Sequence, residues 1–216
     1  MSSTCTRNET ALTSECNSLC SKGRPCVAYA AGDEAKCSNV ASMFGNCTAD
    51  DYCTYECFVN GPDDFVANGA IDFSTYTFFI PFSSEVGSSE QETEVDAELT
   101  AVTNMTTEYP SKANGALQHI EPLSFMTSTI GVVLAGGSSV FGVRGKVAKV
   151  QLPQKLLTAN TQLQTVTLAN LGLEQILASS LPSGLVNLTI SNCLMTSYPD
   201  DLKAMTELEN LYDLFI

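Results

Sequence analysis

The sequence has no tryptophan, a single histidine and only 10 basic residues among its 216. Because 24 acidic residues bring the net charge to −14, no basic patch is available to bind nucleic acid or an anionic membrane surface. The histidine, His119, lies in a polar approach to a predicted strand, and no G-x-S-x-G sequence accompanies it. We therefore expect no enzymatic activity, no cofactor and no metal.

Long hydrophobic runs are scarce as well. Residues 123–145 carry no charge until Arg144, and about 20 uncharged residues are enough to cross a bilayer. Serine, threonine and glycine dominate this run, however, and the adjacent Gly136 and Gly137 would weaken a helix. The composition favours short buried strands, at residues 130–135 and 147–152, over a membrane span. We expect no membrane contact in this segment.

Cysteine, in contrast, is abundant and clustered. Eight of the nine cysteines lie near the N-terminus, and the ninth, Cys193, stands alone. An even, dense set in a short segment predicts four disulfides in an oxidising compartment, although eight cysteines allow about a hundred connectivities. The alternative is one zinc ion held by the two C-x3-C pairs, which would leave the other four unexplained. The predicted disulfide cysteines are Cys5, Cys16, Cys20, Cys26, Cys37, Cys47, Cys53 and Cys57.

Asparagine sequons point to the same compartment. Four N-x-S/T sequences occur, and the one at Asn187 falls inside a predicted strand. The glycosylation candidates are therefore Asn8, Asn46 and Asn104, in a protein that is secreted or at the cell surface. The first ten residues contain no apolar signal segment, which fits either a mature chain that begins with an added Met1 or an excised piece. Because the last repeat stops at Ile216 without a polar cap, we expect a piece of a longer protein.

Composition divides the chain into three parts. Residues 1–60 form a cysteine-rich head, where we expect helices at 10–22 and 48–58 and a short strand at 27–30. Residues 61–122 contain an aromatic, β-branched strand ending at Pro81 and an acidic polar loop. Acids at every second position from 90 to 98 would suit either a solvated loop or a cation-binding surface.

Residues 123–216 contain a repeat. Its units are LQTVTLANLGL from Leu163, LVNLTISNCLM from Leu185 and LENLYDLFI from Leu208, with starts 22 and 23 residues apart. The apolar first, fourth and sixth residues indicate a short strand with one buried face. Because one such unit cannot bury its apolar face alone, the units must stack.

This period, with the pattern L-x-x-L-x-L-x-x-N/C-x-L, resembles the leucine-rich-repeat family. Leu171 takes the N/C position in the first unit and Cys193 takes it in the second. The resemblance implies a solenoid with a parallel sheet. The predicted fold is α+β, a disulfide-rich head followed by a short leucine-rich-repeat stack. The order of head, acidic middle and repeats resembles the N-terminal ectodomain of oomycete-type receptor-like (tyrosine-kinase-like) kinases.

The ends of the stack are less regular. Val147, Val150 and Leu152 repeat the 1-4-6 spacing only 16 residues before Leu163, which predicts a shortened first unit. In the last unit, counting from Leu208 places Asp213 at a buried position. Counting from Leu211 instead gives an apolar match, so two registers are open.

Residues between the buried positions should project from the concave side of the sheet. They are small, neutral and hydrogen-bonding, which suits a protein, peptide or glycan ligand. We therefore expect a receptor recognition module. One alternative is a secreted structural or adhesion protein, and another is a fragment of a transmembrane protein kinase whose motifs lie beyond residue 216. The candidate binding residues are Gln164, Thr165, Thr167, Asn170, Asn187, Thr189 and Asn192.

Overall fold

The structure is a computed structural model, and most of its described residues lie in β-strands and the turns that join them. Those residues include two short 3-10 helices, Ala178–Ser180 and Asp200–Ala204. The described residues are 5–20, 24–32, 37, 45–58, 75–80, 100–103, 108–110, 117–136, 147–148, 152–173, 175–195 and 199–214.

The head is built on a five-stranded sheet. Its strands are β1 (Thr10–Thr13), β2 (Cys26–Ala28), β3 (Gly45–Ala49), β4 (Thr54–Phe58) and β8 (Leu117–Ile120). The order is β3-β4-β2-β1-β8, antiparallel except where β1 and β8 run parallel. The head therefore takes one of its edge strands from residues more than a hundred positions away.

The rest forms a seven-stranded sheet. Its strands are β5 (Thr75–Ile80), β6 (Thr100–Thr103), β7 (Glu108–Pro110), β9 (Gly131–Gly136), β10 (Thr165–Ala169), β11 (Asn187–Ser191) and β12 (Asn210–Leu214). The order is β12-β11-β10-β9-β5-β6-β7. From β12 to β5 every pair is parallel, and β5, β6 and β7 are antiparallel.

A parallel sheet was predicted from the repeats, and the pairing of β9 to β12 confirms it. The predicted strands at residues 27–30, 130–135 and before Pro81 are present as β2, β9 and β5. Leu202 is buried within the second 3-10 helix. The pairing of β12 with β11 also shows which of the two registers the last repeat unit adopts. Leu211 pairs with Leu188 and Asp213 with Ile190, so the register counted from Leu208 is adopted.

The two helices predicted in the head are wrong. Residues 10–13 and 54–58 are strands instead. All four residues of β1 are buried, because β1 lies between β2 and β8 and has neighbours on both sides. Pairing and burial of this kind override the weak local helix preference of these segments.

The shortened first repeat unit is also misplaced. Ala148 makes only an isolated parallel bridge, to Leu171, which lies beyond the end of β10. The strand beside β10 is β9, in which Val132 and Leu134 pair with Val166 and Leu168. Residues 149–151 of the predicted strand lie outside the described part of the chain.

One apolar core underlies both sheets. Leu12, Val27 and Tyr29 of the head belong to the same buried cluster as Val166 and Leu188 of the parallel sheet. Each of these side chains is fully buried. Burial of apolar surface is the main source of stability and contributes about 25 cal/mol of free energy per Å². Because this core contains side chains from both parts, it couples the head to the repeats.

Candidate binding surface on the parallel sheet

Alternation along β10 and β11 produces a buried face and an open face. Val166 and Leu168 of β10 are buried, whereas Thr165 is exposed and Thr167 is half-buried. Strand β11 repeats this pattern, with Leu188 and Ile190 inside. Successive side chains of a strand point to opposite faces, so each unit presents its polar residues on one side. We define the open face as Thr165, Thr167, Asn187, Thr189, Ser191, Asn210 and Tyr212.

Register aligns these side chains into two rows across the strands. In the first row Thr165 pairs with Asn187, and Asn187 pairs with Asn210. Asn210 donates from Nδ2 to Oδ1 of Asn187 at 2.9 Å, which fixes both amides. Neighbouring strands are about 4.8 Å apart, so three strands carry a row across roughly 10 Å.

The second row consists of Thr167, Thr189 and Tyr212. Tyr212 is 56% exposed, which leaves its ring and hydroxyl open to a partner. The open face contains hydroxyl, amide and phenol groups and no charged residue. Such groups both donate and accept hydrogen bonds, and an exposed tyrosine adds apolar contact area at a low entropic cost.

Two of the predicted binding residues lie at the end of the strands instead. Asn170 and Asn192 directly follow β10 and β11, and both have left-handed backbone conformations, with φ of 53° and 49°. Asn170 is 1% exposed, and its Nδ2 donates to the carbonyl oxygen of Gly136 at 3.2 Å. Asn192 is half-buried. Asn170 therefore satisfies buried polar groups at the C-terminal ends of the strands and is inaccessible to a ligand.

The remaining predicted residues lie together. Gln164 is exposed just before β10, and its carbonyl accepts from the backbone N–H groups of Val186 and Asn187. It directly precedes Thr165, which lies on the open face with Thr167, Asn187 and Thr189. Asn210 and Tyr212 were missed by the sequence analysis. The register counted from Leu208 places them at the positions of Asn187 and Thr189, so that register was the signal that would have found them.

All eight head cysteines are paired, in four disulfides. They are Cys5–Cys53, Cys16–Cys26, Cys20–Cys57 and Cys37–Cys47. The prediction of four disulfides is confirmed, and the thiolates that the zinc alternative needed are consumed in these bonds. Such a set is consistent with a secreted or extracellular protein.

The ninth cysteine, Cys193, is a buried free thiol. Its Sγ donates to the carbonyl oxygens of Leu168 at 3.4 Å and Ser191 at 3.3 Å. It lies one unit along from Leu171, the residue at the corresponding repeat position, which is also fully buried. Cys193 is therefore part of the packing behind the open face.

Asn8, one of the glycosylation candidates, is exposed ahead of β1. Asn46 lies on β3, and Asn104 is outside the described residues. Asn187, excluded because of its predicted strand, does lie on β11 between two paired strands. The acids at residues 90–98 lie outside the described residues as well.

An ion pair connects the segment before β1 to the segment after β8. Arg7 donates to Glu121 through two hydrogen bonds, Nη1 to Oε1 at 2.6 Å and Nη2 to Oε2 at 3.1 Å. This hydrogen-bonded carboxylate raises the pKa of Arg7 above its ordinary value.

Asp50 Oδ1 accepts from the backbone N–H groups of Cys53 at 2.6 Å and Tyr52 at 2.7 Å. Together with the Asn17 amide, these donors lower the pKa of Asp50.

A shallow pocket lies on the other side of β10, between residues 152–156 and 175–181. Buried Leu168, Leu156 and Ile176 line it together with exposed Gln154 and Gln175. Its volume is about 140 Å³. Pockets for cofactors and drug-sized ligands measure about 300–1,000 Å³, so this one is too small for such a molecule.

No known protein family, curated protein or solved structure matches this chain. In the part of the chain that the structure describes, no helix is long and apolar enough to cross a membrane.

Proposed function

We propose that this chain is an extracellular recognition module that binds a protein, peptide or glycan ligand on the open face of its parallel sheet. The observation that supports it most directly is the alignment of Thr167, Thr189 and Tyr212 in one row beside Thr165, Asn187 and Asn210 in another. Such a surface is regular, neutral and rich in hydrogen-bonding groups.

The neutrality of the face narrows the kind of ligand. With a chain charge of −14, a cationic partner would be attracted to the molecule generally, but the open face itself offers no carboxylate for a specific ion pair. Uncharged hydroxyls and amides are matched best by a peptide backbone or by sugar hydroxyls. Tyr212 supplies a surface on which an apolar side chain or a sugar ring can pack.

We further propose that β10, β11 and β12 are units of a leucine-rich-repeat solenoid in a receptor ectodomain. The support is the equivalent position of Leu163, Leu185 and Leu208, each placed two residues before its strand. The first two are fully buried, and Leu208 packs against the core. A parent protein with a membrane span and a kinase is one arrangement in which this module would serve as the sensor.

A charge-insertion experiment tests the proposed function. Thr189→Arg places a long cation in the middle of the open face without touching the core, whereas Thr206→Arg makes the same change at an exposed site after the second 3-10 helix. Both variants and the unmodified chain would be applied to peptide and glycan arrays, and folding would be checked by circular dichroism.

We expect array ligands that bind the unmodified chain to lose at least tenfold in affinity for Thr189→Arg and to bind Thr206→Arg normally, since a blocked central contact costs about 1.4 kcal/mol or more. An absence of array ligands, or equal binding by both variants, would argue against recognition through this face.

The second candidate function is structural, as part of a secreted scaffold or adhesion protein. It is favoured by the common core of head and repeats and by the Arg7–Glu121 ion pair, which make one continuous body. Under this alternative, the array experiment gives no ligand that discriminates between the two variants.

A further inference from the structure

Three head cysteines form a compact group of sulfurs, and a fourth is bonded to one of them. The Sγ atoms of Cys16, Cys20 and Cys26 all lie within 4.8 Å of one another, although only Cys16 and Cys26 are bonded. Cys20 is bonded to Cys57. Two disulfides therefore lie side by side, and the sulfur of Cys20 is near both sulfurs of the Cys16–Cys26 bond.

An alternative pairing of the same cysteines would join Cys26 to Cys57 and Cys16 to Cys20. Cys26 on β2 and Cys57 on β4 are direct cross-strand partners in the antiparallel register. Directly opposed residues in such a pair have Cα atoms about 4.5–5.5 Å apart, which is within the usual range for a disulfide. The remaining two, Cys16 and Cys20, face each other across a turn in which the Leu19 N–H donates to the Cys16 carbonyl.

Access to the group is one-sided. Cys20 is half-buried, whereas Cys16, Cys26 and Cys57 are between 0% and 6% exposed. Because thiol–disulfide exchange starts with a thiolate reaching one sulfur of the bond, attack from solvent is directed to Cys20.

We propose that these disulfides are a thiol-exchange site, at which a small monothiol of the glutathione class converts Cys16–Cys26 and Cys20–Cys57 into Cys16–Cys20 and Cys26–Cys57. First, the thiolate RS⁻ attacks Sγ of Cys20, forming a mixed disulfide and releasing the Cys57 thiolate. That thiolate attacks Sγ of its cross-strand partner Cys26 and releases the Cys16 thiolate.

In the last step the Cys16 thiolate attacks Sγ of Cys20 in the mixed disulfide and returns RS⁻. Two disulfides are present before and after, so the reaction is redox-neutral and needs the thiol only as a catalyst. After the exchange, no disulfide links the segment containing Cys16 and Cys20 to β2 or β4. The exchange thereby releases the turn whose Asn17 contacts Asp50.

Peptide mapping tests the proposal directly. Cleavage by trypsin and a glutamate-specific protease places Cys16 and Cys20 on fragment 16–22, Cys26 on 23–34 and Cys57 on 57–85. The present pairing joins all three into one species. The exchanged pairing yields fragment 16–22 alone, with an internal disulfide, and a separate species joining 23–34 to 57–85.

The full oxidised chain would be incubated, folded, with reduced glutathione at mildly alkaline pH, quenched by alkylation and mapped. We expect the three-fragment species to decline as the two exchanged species accumulate, while the thiol content stays at one per chain. Cys5–Cys53 and Cys37–Cys47 serve as internal controls, because they release a different set of fragments and should not change.

Two further samples identify the attacking thiol and the disulfide that it attacks. A chain incubated without glutathione should show no exchange, which excludes Cys193 as the attacking thiol. The double variant Cys20→Ser with Cys57→Ser should keep the bond between fragments 16–22 and 23–34 indefinitely. The proposal is overturned if the three-fragment species persists in glutathione, if the control disulfides rearrange to the same extent, or if only net reduction occurs and the thiol count rises.

Discussion

Asn192 donates a hydrogen bond of 3.2 Å from its Nδ2 to Oδ1 of Asn170, one strand away in the sheet. Asn170 in turn donates to the carbonyl oxygen of Gly136, at the end of the next strand. Side-chain amides thus connect the carboxyl ends of β11, β10 and β9, where the regular ladder stops. A buried backbone group without a hydrogen-bond partner costs free energy, so this chain of amides stabilises the C-terminal ends of the three strands.

Replacing Asn170 should therefore destabilise the protein. Asn170→Ala removes the buried donor to Gly136 and places alanine in the left-handed region, so we expect a loss of about 2–4 kcal/mol in unfolding free energy. Asn170→Gly loses the same hydrogen bond without the steric cost and should be about 1 kcal/mol less damaging. Urea denaturation of both variants measures the difference, and two near-neutral variants would refute a role for the amide.

Gly136 is required for close approach of the chain. A Cβ at this position would overlap the carbonyl oxygen of Asn170 and lie 2.9 Å from the backbone nitrogen of Ala148. Neither atom can move without breaking the hydrogen bond that joins them, so Gly136→Ala should cost about 3 kcal/mol or more.

The matched control is Gly131→Ala, because the three atoms nearest to a Cβ there all belong to the Thr75 side chain, with Oγ1 at 3.1 Å. We expect a cost of about 1 kcal/mol, since a side chain can adjust. Equal urea midpoints for the two alanine variants would contradict the proposed overlap.

Asp50 should make the head sensitive to acid. Its hydrogen bonds from the Cys53 and Tyr52 N–H groups and from Asn17 keep its pKa below the ordinary value of 3.8. A carboxyl whose pKa is lower in the folded state stabilises the fold above the unfolded pKa and loses that contribution as the pH falls through the folded pKa.

Asp50→Asn should accordingly flatten the decline in stability below about pH 4, as followed by urea midpoints from pH 5 to pH 2. Glu207→Gln removes an exposed charge elsewhere and controls for the change in net charge. Identical pH profiles for the unmodified chain and Asp50→Asn would show that the turn does not depend on the carboxylate.

Arg7 and Glu121 should be energetically coupled. Their side chains are 20% and 23% exposed and form a bidentate pair between the segments before β1 and after β8. We expect a double-mutant cycle with alanine at each position to give a coupling of about 1–2 kcal/mol that weakens with salt. A coupling near zero would mean that the parallel β1–β8 pairing is sufficient without the ion pair.

Cys193 gives a direct measure of the oxidation state. Under denaturing, non-reducing conditions an Ellman assay should find one thiol per chain, since the other eight cysteines are in disulfides. In the folded protein Cys193 is 4% exposed, so its reaction should be at least tenfold slower. Eight or nine rapidly reacting thiols would contradict the extracellular assignment.

The sequence predicted the parallel sheet well because its signal is local and repeated. Leu163, Val166 and Leu168 recur one unit later as Leu185, Leu188 and Ile190, and a period of two within each strand sets the buried face. Four of the seven predicted binding residues lie on the open face for the same reason, and Gln164 is exposed beside it.

The head was predicted poorly because its structure depends on distant partners. The helices expected at residues 10–22 and 48–58 are absent, because β1 and β4 form by pairing with other strands. Spacing along the chain likewise does not encode which cysteines bond to each other. Asn170 was assigned to the ligand surface because nothing in the sequence distinguishes an exposed asparagine from one that follows a strand with positive φ.

The parallel pairing of β1 with β8 also has a temporal consequence. Leu12 pairs with Ile120, so the sheet of the head remains incomplete on the ribosome until residue 120 has been synthesised. Contacts so distant in sequence form late in folding. All four disulfides join residues between Cys5 and Cys57, so these cysteines can be oxidised before the strand that completes their sheet has been made.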